Sequence, residues 1–358
     1  MYAMKWIRLV MAVWSGLLIA CRPTPQETVI FDPEIVPVYR CSERDSLPVD
    51  GIGALFIVLS SDYLVTVHFT EDYFFKVYSK KDFSWRGNVL NRGRGPNELL
   101  DVGYINQWKE ENGHLKILAN QLNGNYAWID IDRALEGKDS IVRYEELKFQ
   151  ETPERLRMDI SMVNYFGEDS LLLYIVPQKT ENRPERMVPY YVFYRPNTAT
   201  FAKPLPLAVI DGKNDALFSS VYTSVMAFSP DMSRLASAIC GLRTIQILDF
   251  KKQKSIEVKF PDSPRRMEKT EVKDLVFGFA GATRRFAWIS EAKGITDVES
   301  HRIFLVDWEG NPRGILELDC NILSFFPDES EKVLYVVDRE DGVFRYDLRD
   351  FYDRILPG

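Results

Sequence analysis

A pair of short apolar runs separated by a polar turn recurs along this chain, and the recurrence constrains the fold more than any other feature. The second run of the pair has a constant form. It reads Phe75-Lys76-Val77-Tyr78, Ala127-Trp128-Ile129-Asp130, Val192-Phe193-Tyr194-Arg195, Ile245-Gln246-Ile247-Leu248-Asp249, Ile303-Phe304-Leu305-Val306-Asp307 and Val343-Phe344-Arg345-Tyr346-Asp347. Its partners are Tyr63 to Phe69, Leu115 to Ala119, Leu171 to Ile175, Leu235 to Ile239, Arg285 to Ile289 and Val333 to Val337. Taking Tyr78, Asp130, Tyr194, Asp249, Asp307 and Asp347 as equivalent points, the intervals are 52, 64, 55, 58 and 40 residues. Four units continue through a turn into a further extended stretch: Ser84 to Leu90, Ser140 to Phe149, Lys254 to Phe260 and Gly314 to Leu318. Helical periodicity is almost absent, and aromatics make up 13 % of the chain, as suits strands.

Turn chemistry agrees with hairpins. Asn112-Gly113 and Asn123-Gly124 favour the positive φ angles of tight turns, and Glu340-Asp341-Gly342 separates the two runs of the last unit. Repeats of this length stack because one unit cannot bury its own apolar faces. Six helix-free units closing on themselves give an all-β, six-bladed β-propeller over residues 28–358. A two-domain β-sandwich chain and a seven-bladed ring are the alternatives. Thr28 to Cys41 is expected to close the ring against the last blade, while Ile52 to Leu59 has no assigned place.

Ahead of the repeats, Lys5 and Arg8 precede an apolar stretch, Leu9 to Ala20, too short to span a bilayer. This is the pattern of a secretory signal, residues 1–20. Leu18-Ile19-Ala20-Cys21 resembles the lipobox of bacterial lipoproteins. In that class the Cys21 thiol would be alkylated with diacylglycerol, the signal cut before it and the new amine acylated, since only a sulfur there forms the thioether. Residues 21–27 would then be a lipidated tether, with Pro23 and Pro25 keeping it semi-extended. The resemblance implies a lipid-anchored protein of the bacterial cell envelope, with the outer membrane as the expected location.

One loop stands out in the first unit, Asn91-Arg92-Gly93-Arg94-Gly95-Pro96-Asn97-Glu98-Leu99. Gly93 and Gly95 permit positive φ or close backbone approach, Pro96 fixes the chain, and Glu98 can accept amides or pair with Arg92 or Arg94. Two readings follow: an interblade corner, or a small anion site made by two arginines and exposed amides. The sixth position, Glu98, excludes a dinucleotide fingerprint, and the absence of Gly-Lys-Ser/Thr excludes a P-loop. Gly93 to Glu98, together with the lipobox and the repeats, resembles the TolB-like six-bladed propeller lipoproteins of Bacteroides-type bacteria. Phe228-Ser229-Pro230-Asp231 and Phe326-Pro327-Asp328 are similar to turns of such blades. Asn97 stands where that signature has glycine.

Other chemistry is sparse. His68, His114 and His301 are isolated in sequence and are expected to pack or face solvent rather than hold a metal. Alternation puts Asp130 and Asp132 on one solvent-facing strand side, and Asp338 to Gly342 reads as a hairpin turn rather than a calcium loop. No Gly-x-Ser-x-Gly elbow occurs. Arg265 and Arg266 form a basic loop that could touch a partner. Cys240 is expected as a buried thiol; the odd set after Cys21 permits at most one disulfide, and Cys41 with Cys320 is the pair if one forms. A net charge of −7 argues against nucleic acid, and no cofactor is expected. The expected function is a binding or scaffold module for an envelope protein, peptide or glycan. The alternative is a propeller lyase or hydrolase, which needs acids, tyrosines or histidines gathered at the axis.

Overall fold

The computed structural model describes residues 27–355 except 70, 104, 106, 122–124, 146–159, 167–169, 176–189, 196–197, 199, 202–204, 207–223, 264–276 and 294–298. Six antiparallel sheets succeed one another along the chain. Blade 1 is Ala54–Leu59, Tyr63–His68, Tyr73–Ser79 and Trp85–Arg92, with the short strand Glu98–Leu99 on its edge. Blade 2 is Trp108–Glu111, His114–Asn120, Tyr126–Asp130 and Ile141–Glu145. Blade 3 is Ile160–Tyr165, Leu171–Ile175, Tyr190–Arg195 and Thr200–Phe201. Blade 4 is Ser224–Phe228, Arg234–Ile239, Thr244–Asp249 and Lys254–Lys259, and blade 5 is Phe277–Ala282, Phe286–Glu291, Arg302–Asp307 and Pro312–Leu318. Blade 6 is Ile322–Asp328, Val333–Asp338 and Val343–Asp347, completed from elsewhere in the chain.

The first strands of blades 4, 5, 6 and 1 contact one another in that order, so first strands line the axis and fourth strands form the rim. Among the described residues the core divides into six clusters, each shared by two neighbouring blades. Ile245 and Ile247 of blade 4 pack with Ala287, Ile289 and Phe304 of blade 5. Tyr335 and Val337 of blade 6 pack with Leu59 and Leu64 of blade 1, which closes the ring. Every sheet is thus covered on both faces. That is why the second and third strands read as nearly unbroken apolar runs rather than as alternation.

The N-terminal segment departs from expectation. It forms three rim strands, β1 (Glu27–Ile30), β2 (Val38–Cys41) and β3 (Arg44–Ser46). β1 pairs parallel with the fourth strand of blade 4 and β2 parallel with that of blade 5. Only β3 reaches the last blade, antiparallel to Val343–Asp347, where Leu47 also donates to Val343 O at 2.9 Å. The closing strand is therefore Arg44–Ser46, and Thr28 to Cys41 belts blades 4 and 5 instead. Phe31, at 0 % exposure, is the wedge of this belt. It stacks on Phe260 at 4.9 Å and meets Phe304 edge-on at 5.3 Å, between the two blades. Ile52 to Leu59 also finds its place, since Ala54–Leu59 is the axial strand of blade 1.

Tight turns obey their chemistry. Asn112 (φ 55°) and Gly113 (φ 79°) both lie in the left-handed region, as a two-residue hairpin requires; Asn123-Gly124 lies outside the described residues. Asp338 Oδ1 accepts from Glu340 N at 3.0 Å and Gly342 N at 2.6 Å, an Asx-type turn. Two short α-helices occur among the described residues, α1 (Ile131–Leu135) and α2 (Arg349–Ile355). Among the described residues no helix is long and apolar enough to cross a membrane. The alternating strand directions define two faces. Among the described residues the turn face carries the first-to-second and third-to-fourth turns, and the loop face carries the second-to-third turns and the connections between blades.

Candidate functional site

The Arg92–Glu98 segment leaves the rim of blade 1 on the loop face. Glu98 folds back over the two glycines and accepts from Gly95 N at 2.7 Å. A Cβ on Gly93 would sit 1.9 Å from Glu98 Oε2, and one on Gly95 would sit 3.0 Å from it. Neither glycine has positive φ, so both are there for close approach of the carboxylate. The αL residue is Asn97 (φ 61°), a conformation asparagine tolerates far better than most residues. Its side chain donates to Asp139 Oδ1 at 2.5 Å and accepts from Ile141 N at 3.3 Å, tying the corner to blade 2.

Arg92 does not pair with Glu98. Its guanidinium donates to three carbonyls, Glu71 O and Leu100 O, each at 3.1 Å, and Phe69 O, and lies over the Phe74 ring at 4.6 Å. Arg94 and Pro96 are exposed. One amide and one arginine of the anion reading are therefore already engaged within the chain. We expect Gly93→Ala to destabilise the fold more than Glu98→Ala, which removes one acceptor worth about 1 kcal/mol. In the Glu98→Ala background Gly93→Ala should become mild, a coupling that urea unfolding of the double-mutant cycle reads directly.

Beneath the corner lies a buried polar group with no sequence motif. His68 and Thr66 are both at 0 % exposure, and His68 Nε2 lies 2.9 Å from Thr66 Oγ1. Lys76 Nζ donates to Asp50 Oδ2 and Glu71 Oε1, each at 2.8 Å. Burial opposes the Lys76 charge, but those two carboxylates outweigh it and push its pKa up to about 12. Burial, with the Lys76 charge second, lowers His68, which keeps the imidazole neutral.

Aromatic rings meet across the axis at the described positions, and the first strand of blade 2 adds Lys109, Glu110 and Glu111 to it. Phe56 of blade 1 and Phe279 of blade 5 meet at 6.4 Å, and Phe279 meets Phe325 of blade 6 at 5.3 Å. Lower down, Trp108 of blade 2 meets Phe326 of blade 6 at 5.4 Å. Each of these rings belongs to a first strand. Blades 1 and 5 are not neighbours, nor are 2 and 6, so those two contacts cross the channel.

The three histidines lie in different places: His68 in blade 1, His114 at the turn face of blade 2 and His301 on the loop face of blade 5. His114 does meet two carboxylates, because the expected alternation breaks. The strand stops at Asp130, which caps α1 by accepting from Arg133 N at 3.0 Å, and Asp132 lies within the helix. Asp130 is buried at 2 % exposure rather than solvent-facing. Ligand atoms of His114, Asp130 and Asp132 all lie within 4.8 Å of one another. Their oxygens are engaged: His114 Nδ1 lies 3.0 Å from Asp130 Oδ1, Leu115 N donates to Asp132 Oδ2 at 2.8 Å, and Tyr63 OH donates to Asp132 Oδ1 at 2.8 Å. Burial, with Asp132 second, pushes the Tyr63 phenol up to about 12. This is a corner joining blades 1 and 2.

Blade 5 carries a cavity on the loop face, about 200 Å³, lined by Glu291, Lys293, Glu299, His301, Arg302 and Glu317. Its charges are mixed: Arg302 lies 3.8 Å from Glu291 and 3.7 Å from Glu317, which Arg40 of β2 contacts at 2.7 Å. These residues come from separated segments, so no local spacing announces them. Arg265 and Arg266 lie outside the described residues, as does Cys21.

Cys41 and Cys320, the pair left open by the sequence, do not bridge; both thiols are free, as is Cys240. Cys41 is in register with Leu318, and Cys320 lies past the strand end, next to Asp319, whose Oδ1 accepts from the Tyr346 hydroxyl at 2.6 Å. Burial pushes Cys41 up to about 11 and Cys240 to about 12. Maleimide labelling at neutral pH should therefore be slow at all three in the folded protein and fast after denaturation. Rapid native labelling of Cys240 would contradict this packing.

No family model matches the sequence, and none of the curated proteins matches it. Solved structures do resemble the fold. A member of the DUF4221 family from Bacteroides vulgatus matches with a TM-score of 0.59 at 10 % identity, covering 86 % of this chain and 96 % of that one. A candidate exported protein from Bacteroides fragilis matches with a TM-score of 0.51 at 10 % identity, covering 89 % and 98 %. At such identities the likeness concerns the six-bladed architecture alone.

Proposed function

We propose that the protein is an exported lipoprotein of the bacterial cell envelope, anchored through lipid on Cys21, whose propeller binds a protein, peptide or glycan rather than performing chemistry. The observation that carries the binding half is the axis. A propeller enzyme of the lyase or hydrolase kind needs acids, tyrosines or histidines gathered there, whereas the side chains that meet across the axis at the described positions are Phe56 with Phe279 and Trp108 with Phe326. Two of the clusters of acids with histidine, at His68 and at His114, are spent on joining strands and blades. Export rests on the signal and lipobox pattern, and likeness in fold to a candidate exported Bacteroides protein supports it. The Gly93–Glu98 corner is similar in sequence to that of TolB-like propeller lipoproteins, and its role in this reading is to fix blade 1 against blade 2. Recognition falls to the loop face, which holds the charged cavity of blade 5 and the exposed Arg94.

The test is photo-crosslinking in intact cells from Arg94 on the loop face, with Cys21→Ser as the unanchored control. The reading expects a discrete adduct from Arg94 that weakens when the anchor is lost. Absence of any adduct from this face would overturn the binding role.

A further inference from the structure

We infer that the anchor seats the propeller with its turn face on the lipid surface and its loop face directed away from it. The inference rests on the lipid-anchor reading and adds an orientation to it.

The argument begins with chain direction. β1 is parallel to Lys254–Lys259, with Glu27 in register with Ile256. That blade 4 strand starts on the turn face, where Lys254 Nζ reaches back to Glu27 Oε2 at 2.6 Å. Parallel pairing therefore brings the chain into β1 from the turn face. Glu27 lies two residues above the start of the strand, roughly 7 Å from its end. Six Cα steps separate Cys21 from Glu27, a reach of roughly 20 Å at full extension. Used along the direction of β1, that reach sets Cys21 below the turn face, within contact distance of a headgroup layer. Reaching the loop face would require the chain to reverse within Arg22 to Gln26, where Pro23 and Pro25 bias the residues before them toward extended backbone.

The surface around this exit says how it meets lipid. Lys251, Lys252 and Lys254 surround it, but they lie 3.5 Å from Asp231, 3.6 Å from Asp249 and 2.6 Å from Glu27. Arg234 is likewise 3.1 Å from Glu309. Among the described residues around the exit, charges of alternating sign leave no basic patch to select anionic lipid. The acyl chains hold the protein, and the turn face rests on headgroups of either charge. The loop face, with its cavity and corner, is left open to a soluble or extracellular partner.

The lipidated full chain can be reconstituted in vesicles carrying a nitroxide-headgroup lipid, with a fluorophore on Lys252→Cys at the turn face or on Glu340→Cys at the loop face. Flotation reads the anchor, and quenching reads the orientation. The expected result is flotation of both variants, loss of fluorescence at Lys252→Cys and retention of it at Glu340→Cys. Neutral and anionic vesicles should behave alike. Flotation with equal or reversed quenching would overturn the orientation while leaving the anchor standing. Failure to float would overturn both, and flotation only with anionic lipid would overturn the charge argument.

Discussion

A chain truncated to begin after Ser46 is expected to lose cooperative unfolding altogether, whereas one beginning at Glu27 should unfold like the full body. The difference lies in what the belt completes. Without β3, blade 6 keeps three strands and its Val343–Asp347 strand becomes a bare edge. Arg44, which lies 3.9 Å from the Phe344 ring centre, goes with it. Without β2, Tyr39 no longer covers Phe351 of α2, with which it packs edge-on at 5.1 Å. Without β1 and its continuation, Phe31 leaves the space between blades 4 and 5 empty. Domains of this kind hold about 5–15 kcal/mol of net stability, and these losses together exceed it. Circular dichroism during thermal melting decides the matter. An unchanged sharp transition in the Ser46 truncation would show that the ring closes without its N-terminal strand.

Phe31→Ala alone should destabilise the protein by about 3–5 kcal/mol, the range for deleting a large buried aromatic. Phe31 is fully buried and touches Phe260 and Phe304, which belong to different blades, so the cavity cannot collapse by moving one sheet. Phe31→Leu keeps most of the volume and should cost less than the alanine variant. In urea the midpoint should fall with the slope unchanged, because the same surface is still exposed on unfolding. A wild-type midpoint for Phe31→Ala would mean that the belt is not part of the core.

Both results depend on the part of the fold least visible in the sequence. The second and third strands of each blade could be read because stacking buries both their faces, as in Leu171–Ile175, where every residue is buried. Rim strands carry no such signature. The exposed-exposed-intermediate-exposed pattern of Glu27–Ile30 reflects an edge held by parallel backbone pairing, and the belt was consequently expected on the wrong blade. Trp108–Glu111 was hidden because its side chains are half-buried or exposed, although it is an axial strand.

The candidate site divides in the same way. The Gly93–Glu98 corner is local, so its residues announced themselves, but whether Glu98 or an outside anion takes the Gly95 amide depends on a rotamer. Asp130 and Asp132 were misplaced because a period of two was carried two residues past the end of the strand, into α1. The axial rings and the blade 5 cavity join residues scattered over the whole repeat array, and no spacing rule brings them together. The cysteines followed burial rather than proximity: Cys240 was legible from its apolar run, while Cys41 and Cys320 were not.

Everything proposed about place and orientation passes through Cys21, so the most direct test is the mass of the mature N-terminal peptide from membrane-extracted protein. The account predicts a chain that starts at Cys21 with diacylglycerol on its sulfur. A mature chain that starts elsewhere, or an unmodified Cys21 thiol, would contradict it.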